Sequence, residues 1–170
     1  MANTNTPTGA KPRNASTALV KIWTVTATAT LSAGDTVYLD SAGTVSDTAS
    51  QYVVGVAVEG IIDTDGYTVN TTAGAGDTIK VYDDQSEIYI MQISTYAITA
   101  PYTTCIDTAC FDTAGTQGVQ YIDAAASTQD TWKILGLATE EDSGKASALG
   151  AYAKVQCQIN PNVHYRTKIS

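Results

Sequence analysis

The chain has 170 residues, enough for one domain with its own core and short for two. Only 15% are charged, against about 25% in ordinary soluble domains, and the 44% apolar content excludes wholesale disorder. The net charge of −8 speaks against nucleic acid as a partner, and no apolar run approaches the roughly 18 residues of a membrane span, so neither partner is expected.

Residues 1–16 are mostly Asn, Thr, Pro, Gly, Ala and Lys, and predict an arm that is flexible in isolation. From Trp23 to Leu31 apolar residues hold the odd positions and threonines the even ones. That period of two predicts a strand with one apolar and one threonine face. Ser32–Asp35 turns it, Thr36–Leu39 is a short strand, and Asp40–Gly43 is a tight turn. Tyr52–Glu59 is apolar on both faces, with Gly55 marking a bend, bulge or close backbone approach. Short strands follow at Tyr67–Asn70 and Ile79–Tyr82, and Glu87–Ile93 reads as a central strand. Tyr96–Ile98, Thr103–Ile106, Val119–Ile122, Trp132–Thr139 and Tyr152–Ile159 complete the set, and Asn160-Pro161-Asn162 stops the last. No apolar pattern keeps helical spacing for three turns. The predicted fold is all-β: a compact β-barrel, β-tulip-like or sandwich domain over 17–160, with the arm 1–16 before it and a tail 161–170 after it. The expected core is Trp23, Val25, Val54, Val56, Ile88, Ile90, Trp132, Leu135 and Leu137.

The chain also repeats itself. Asp35-Thr-Val-Tyr-Leu-Asp40-Ser-Ala-Gly43-Thr44 returns 72 residues later as Asp107-Thr-Ala-Cys-Phe-Asp112-Thr-Ala-Gly115-Thr116, with six of ten positions identical. Val54-Gly-Val-Ala57 returns as Leu135-Gly-Leu-Ala138, 81 residues on. Two copies are too few for a solenoid and predict an internal duplication within one β-domain. The repeated residues are those of turns and strands, with no catalytic side chain in both copies.

Charge is sharply divided. Residues 1–34 carry Lys11, Arg13 and Lys21 and no acid, and residues 143–170 carry Lys145, Lys154, Arg166 and Lys168 and no acid. The middle holds all 17 acids against Lys80 and Lys133, a balance of −15. Such ends either simply aid solubility or seek an acidic neighbour. On the second reading Lys11, Arg13, Lys21, Arg166 and Lys168 are the contact candidates.

Candidates for chemistry are sparse. His164, the one histidine, lies in the basic tail and makes a poor general base. Glu59 and Glu140 sit at equivalent repeat positions, which explains the pair without glycosidase chemistry. Asp63-Thr-Asp65-Gly66 and Asp83-Asp84-Gln-Ser-Glu87 could place oxygens around calcium, but neither has the full loop pattern, and acidic turns on a solvated face account for them. Cys105, Cys110 and Cys157 cannot all pair within one chain and read as buried thiols. Tyr52, Tyr67, Tyr82, Tyr89, Tyr96 and Tyr102 could line a sugar platform, or simply be strand formers. No catalytic residue, metal site or cofactor is assigned.

Leu31-Ser-Ala-Gly34-Asp35-Thr-Val-Tyr-Leu-Asp40-Ser-Ala-Gly43, then Tyr52-Val-Val-Gly55-Val-Ala57 and Ile79-Lys-Val-Tyr82-Asp83-Asp84, resemble the head decoration, or capsid cement, proteins of tailed bacteriophages. Ile134–Ala138 and Tyr152–Gln156 are similar in kind, so the likeness runs through about residues 20–160. It implies a small β-barrel or tulip-like domain on the outer capsid surface of a virion, often a homotrimer, with the major capsid protein as partner and no enzymatic activity. The chain has no apolar leader core near Met1, so synthesis in the host cytoplasm is expected. The alternatives are a glycan-binding module or adhesin on a virion or cell surface, and a hydrolase built on a carboxylate pair.

Overall fold

A computed structural model of the chain describes residues 7–50, 52–94, 112–123, 130–139, 147–148 and 150–168, with 167 and 168 by backbone alone. The predicted strands Tyr96–Ile98 and Thr103–Ile106, and Cys105, Cys110 and Glu140, lie outside these residues. The described chain is all-β apart from one helical turn, α1 (Tyr165–Lys168).

Thirteen short strands form three sheets among the described residues. The largest is a curled sheet built around β8 (Thr78–Tyr82). On one side β8 pairs with β2 (Val20–Thr24). On the other it pairs with β5 (Val53–Ala57) and β6 (Ile61–Ile62). From β5 the sheet continues through β3 (Thr36–Leu39) to β4 (Val45–Ser46), and from β6 to β7 (Val69–Asn70). A second sheet has the order β1 (Lys11–Pro12), β9 (Tyr89–Gln92), β13 (Lys154–Ile159), β12 (Trp132–Leu137). The third is the hairpin β10 (Asp112–Ala114) and β11 (Tyr121–Asp123). All ladders are antiparallel.

Two cores result, one on each face of the β3–β5–β8 ribbon. Leu31, Val37, Val54, Ala57, Ile61, Ile79 and Val81 fill the hollow of the curled sheet. Tyr38, Val53 and Val56 instead pack against Tyr89, Met91, Trp132, Val155 and Cys157 of the second sheet. β5 is the shared wall, and all five of its residues are buried. Each fully buried valine there contributes about 1.5–3 kcal/mol. This is why Tyr52–Glu59 reads as apolar on both faces. Gly55 is where backbones touch: a Cβ there would collide with the Tyr82 carbonyl.

Of the expected core, Val25, Val54, Val56, Ile90 and Trp132 are buried, whereas Trp23, Ile88, Leu135 and Leu137 are only partly so. The predicted Trp23–Leu31 strand is cut short. After Thr24 the chain turns at Ala27-Thr28, where Thr28 has φ +74° and its N–H donates to Ala73 O at 2.9 Å. The threonine face finds carboxylates in place of a ladder: Thr26 Oγ1 donates to Asp40 Oδ2 (2.9 Å) and Thr30 Oγ1 to Asp47 Oδ2 (2.7 Å).

The duplication holds in its second block and fails in the described part of its first. Val37 pairs with Gly55 and Tyr38 with Val53, leaving Val54 as an extra residue. Ile134 pairs with Cys157 and Gly136 with Gln156, leaving Leu135 extra in the same way. Both copies are therefore strands with a bulge just before the glycine. In the first block, however, Asp40–Gly43 is a turn while Asp112–Ala114 is strand β10, so these segments are not equivalent. The hairpin partner decides: Asp40 N–H closes a short turn on Thr44 O, whereas β10 runs on against β11.

A different echo is structurally faithful. Ser32-Ala-Gly34-Asp35-Thr36 and Gly74-Ala-Gly76-Asp77-Thr78 make the same turn into β3 and β8. The glycines have φ +88° and +89°, and each aspartate accepts the N–H three residues back, from Ser32 (2.8 Å) and Gly74 (2.7 Å).

The N-terminal arm also differs from expectation. Ala10 is buried, its N–H donates to Gly34 O at 2.8 Å, and β1 pairs with β9. Gly9 lies so close to Gly34 that a Cβ would come 2.7 Å from the Gly34 carbonyl oxygen. Polar composition hid a segment held by backbone bonds and by two glycines in contact.

Candidate functional site

The densest group of charged side chains gathers where β8 ends. The inner face of β8 carries Ile79 and Val81, and Asp83 continues that phase. Asp83 is fully buried, so its charge needs partners. They come from α1 and β2. Arg166 grips both oxygens, Nε to Oδ1 at 3.0 Å and Nη2 to Oδ2 at 2.9 Å. Tyr165 Oη donates to Oδ2 at 2.7 Å, and Lys21 Nζ stands 3.3 Å from the same oxygen. The bond to Asp83 holds the Arg166 pKa above its ordinary value. Burial first, and then the bond to Asp83, push the Tyr165 phenol up.

His164 completes the group. Its ring is fully buried, and Nδ1 accepts from Arg166 N–H at 3.3 Å. The proton of the neutral ring therefore sits on Nε2, which lies 3.8 Å from Asp83 Oδ1, beyond hydrogen-bond reach. Burial lowers the His164 pKa, and the Asp83 charge only partly opposes this. Tyr165 meets Trp23 edge-on, with ring centroids 5.2 Å apart, and so caps the hollow of the curled sheet. This constellation has an acid and an imidazole, but among the described residues no hydroxyl or thiol is bonded to the ring. What it does is clamp 164–166 onto β8 and β5, where His164 also bridges Val53.

Of the five predicted contact residues, Lys21 and Arg166 thus converge on Asp83 inside the protein. Lys11 and Arg13 lie at the surface on and beside β1, and the Lys168 side chain is outside the described residues. The two acidic turns weighed as calcium loops are each held by bonds of their own. Asp65 caps its own hairpin, accepting from the N–H groups of Tyr67 and Thr68 at 2.8 Å each. The Thr68 hydroxyl and these amides hold its carboxyl below the usual range. Asp84 Oδ1 accepts from the Ser86 N–H at 2.9 Å and from the Ser86 hydroxyl at 2.7 Å. No group of three or more metal-type ligands occurs among the described residues. Glu59 pairs with Lys80 at 2.8 Å. Cys157 is buried, and burial pushes its thiol pKa up. The described tyrosines of that set do not share a surface: Tyr89 is buried, Tyr52 and Tyr82 pack on different cores, and Tyr67 is exposed, while Tyr96 and Tyr102 lie outside the described residues.

One cleft of about 570 Å³ opens beside the Ala27-Thr28 turn, lined by Thr26, Thr28, Asp40, Ser41, Asp47 and Thr48 among others. Hydroxyl groups dominate it, and none of its lining residues is aromatic.

Sequence reasoning missed a second carboxylate with no exposed surface, Asp35. Its Oδ1 accepts Gly118 N–H at 2.7 Å, while Gln120 Oε1 accepts Thr36 N–H at 2.8 Å. Burial raises the Asp35 pKa against these bonds. Trp132 Nε1 donates to Thr113 Oγ1 at 2.7 Å, so the β10–β11 hairpin is stitched to both larger sheets. No described helix is long and apolar enough to cross a membrane. Comparison with protein-family models, with curated proteins and with solved structures gives no match to this chain.

Proposed function

We propose that the protein is a structural component of a tailed-phage-type virion. It binds the outer surface of the capsid and cements neighbouring subunits of the major capsid protein, without a catalytic step. One observation supports this beyond the sequence resemblance. Residues 11–24 form an outer edge of both larger sheets, β1 of one and β2 of the other. Along the first part of that edge Lys11, Arg13 and Leu19 are exposed, and no acid occurs before Asp35. A cationic and apolar edge on an otherwise acidic body suits an acidic protein surface as partner.

The test is co-sedimentation of the purified protein with undecorated heads across a salt series. Binding is expected, weakening as salt rises and weakening further in Lys11→Glu with Arg13→Glu. Failure of the intact protein to bind any head overturns the proposal, as does salt-insensitive binding by the reversed variant. A glycan-binding module is the second reading. The hydroxyl-lined cleft favours it, and the lack of a stacking ring in that cleft weighs against it.

A further inference from the structure

The curled sheet reaches past the second sheet. Cross-strand partners project to the same face, so rows can be read from the register. The row Val20–Tyr82–Val56 runs beneath the second sheet, since Val56 belongs to the core between the sheets and Tyr82 packs on it. Further along β8, on the same face, Ile22 lies opposite Lys80, and then comes the row Thr24–Thr78–Ile62–Val69. Ile22 is 66% exposed, Val69 56% and Val20 41%, and Tyr67 at the adjoining hairpin tip is 90% exposed. These are four of the six large exposed hydrophobics among the described residues, and they lie on or beside this side of the curled sheet with Lys80, Thr24 and Thr78 between them. Lys80 is the single charged residue on these rows, and Glu59 neutralises it at 2.8 Å.

We propose that this face packs against the same face of a second copy of the chain. Charge selects that occupant. Two copies with a net charge of −8 repel across most of their surfaces, and this is a strip where charge is cancelled. A twofold axis through it brings Lys80 of each copy toward Glu59 of the other, which makes the face self-complementary. An acidic shell would be drawn to the Lys11–Arg13 edge, since this face offers no net positive charge: Glu59 cancels Lys80, and Asp65 stands exposed beside Tyr67 at the hairpin tip. The inner rows would meet as two aligned sheets about 10 Å apart. The contact closes as a pair, unlike the trimer that the resemblance implies.

The test is the mass of the full chain by sedimentation velocity, over a range of protein concentration and salt. A dimer is expected that tightens as salt rises, because screening removes the repulsion between acidic bodies. That trend is opposite to the one expected for head binding, so the two proposals fail separately. Ile22→Glu and Val69→Glu should each weaken the dimer about tenfold or more, with the unfolding midpoint unchanged at dilutions where the parent chain is monomeric. A monomer under all conditions overturns the pairing, and so does a trimer. A dimer untouched by either substitution overturns it as well.

Discussion

The two basic ends of the chain look alike in sequence and are used in opposite ways. Near the N-terminus, Lys11 and Arg13 stand at the surface of an edge strand. Near the C-terminus, Arg166 turns inward and holds the buried carboxylate of Asp83. A count of charge cannot separate these cases. What separates them is a carboxylate that has been taken out of water and requires a cation.

The strongest way to break the comparison is to remove that carboxylate. Asp83→Ala leaves Tyr165, Arg166 and His164 facing a site with no acceptor, and should cost about 3–5 kcal/mol in denaturant unfolding. A loss below about 1 kcal/mol would mean that 164–166 are not clamped. A finer test uses pH. The folded His164 pKa lies below its unfolded value near 6.5, so the unfolded chain binds more protons between the two. Stability should therefore fall as pH drops from neutrality through 6.5 toward the depressed folded value. Below that value the loss levels off. The charged groups that face the ring are Asp83, Asp84 and Arg166. His164→Gln should flatten that part of the thermal-midpoint profile, and a profile unchanged by the substitution would show that the ring does not carry it. The smallest effect belongs to the N-terminal side: Lys11→Ala should change stability by no more than about 0.5 kcal/mol. Should it match Asp83→Ala, the two ends are not opposites.

Much of the fold was legible. Apolar stretches bounded by turn residues located β3, β5, β8, β9, β12 and β13, with β5 and β9 apolar on both faces because both faces are covered. Strand phase also contained a signal that went unread. Ile79, Val81 and Asp83 share one parity, as do Lys21, Trp23 and Val25, so an inward aspartate and a lysine beside it could have been inferred. Which distant residue would answer Asp83 was not legible, since 83 residues separate it from Arg166. Segments β1, β4 and β6 were invisible for another reason: two residues held by backbone bonds leave no period to detect. The first repeat block misled because identical residues closed a turn in one place and extended a hairpin in the other.

The clamp also sets an order in time. A ribosome that has just finished β8 has made Asp83 but none of 164–166, and every residue of β9, β12 and β13 must still follow. Until then the carboxylate has only Lys21 upstream to answer it, and the mouth of the curled sheet lacks its Tyr165 cap. Burying an under-paired charge is costly, so the nascent curled sheet should stay open and hydrated at that end. It shuts only when synthesis has passed Arg166, which makes closure of the first half a late event governed by the last segment described.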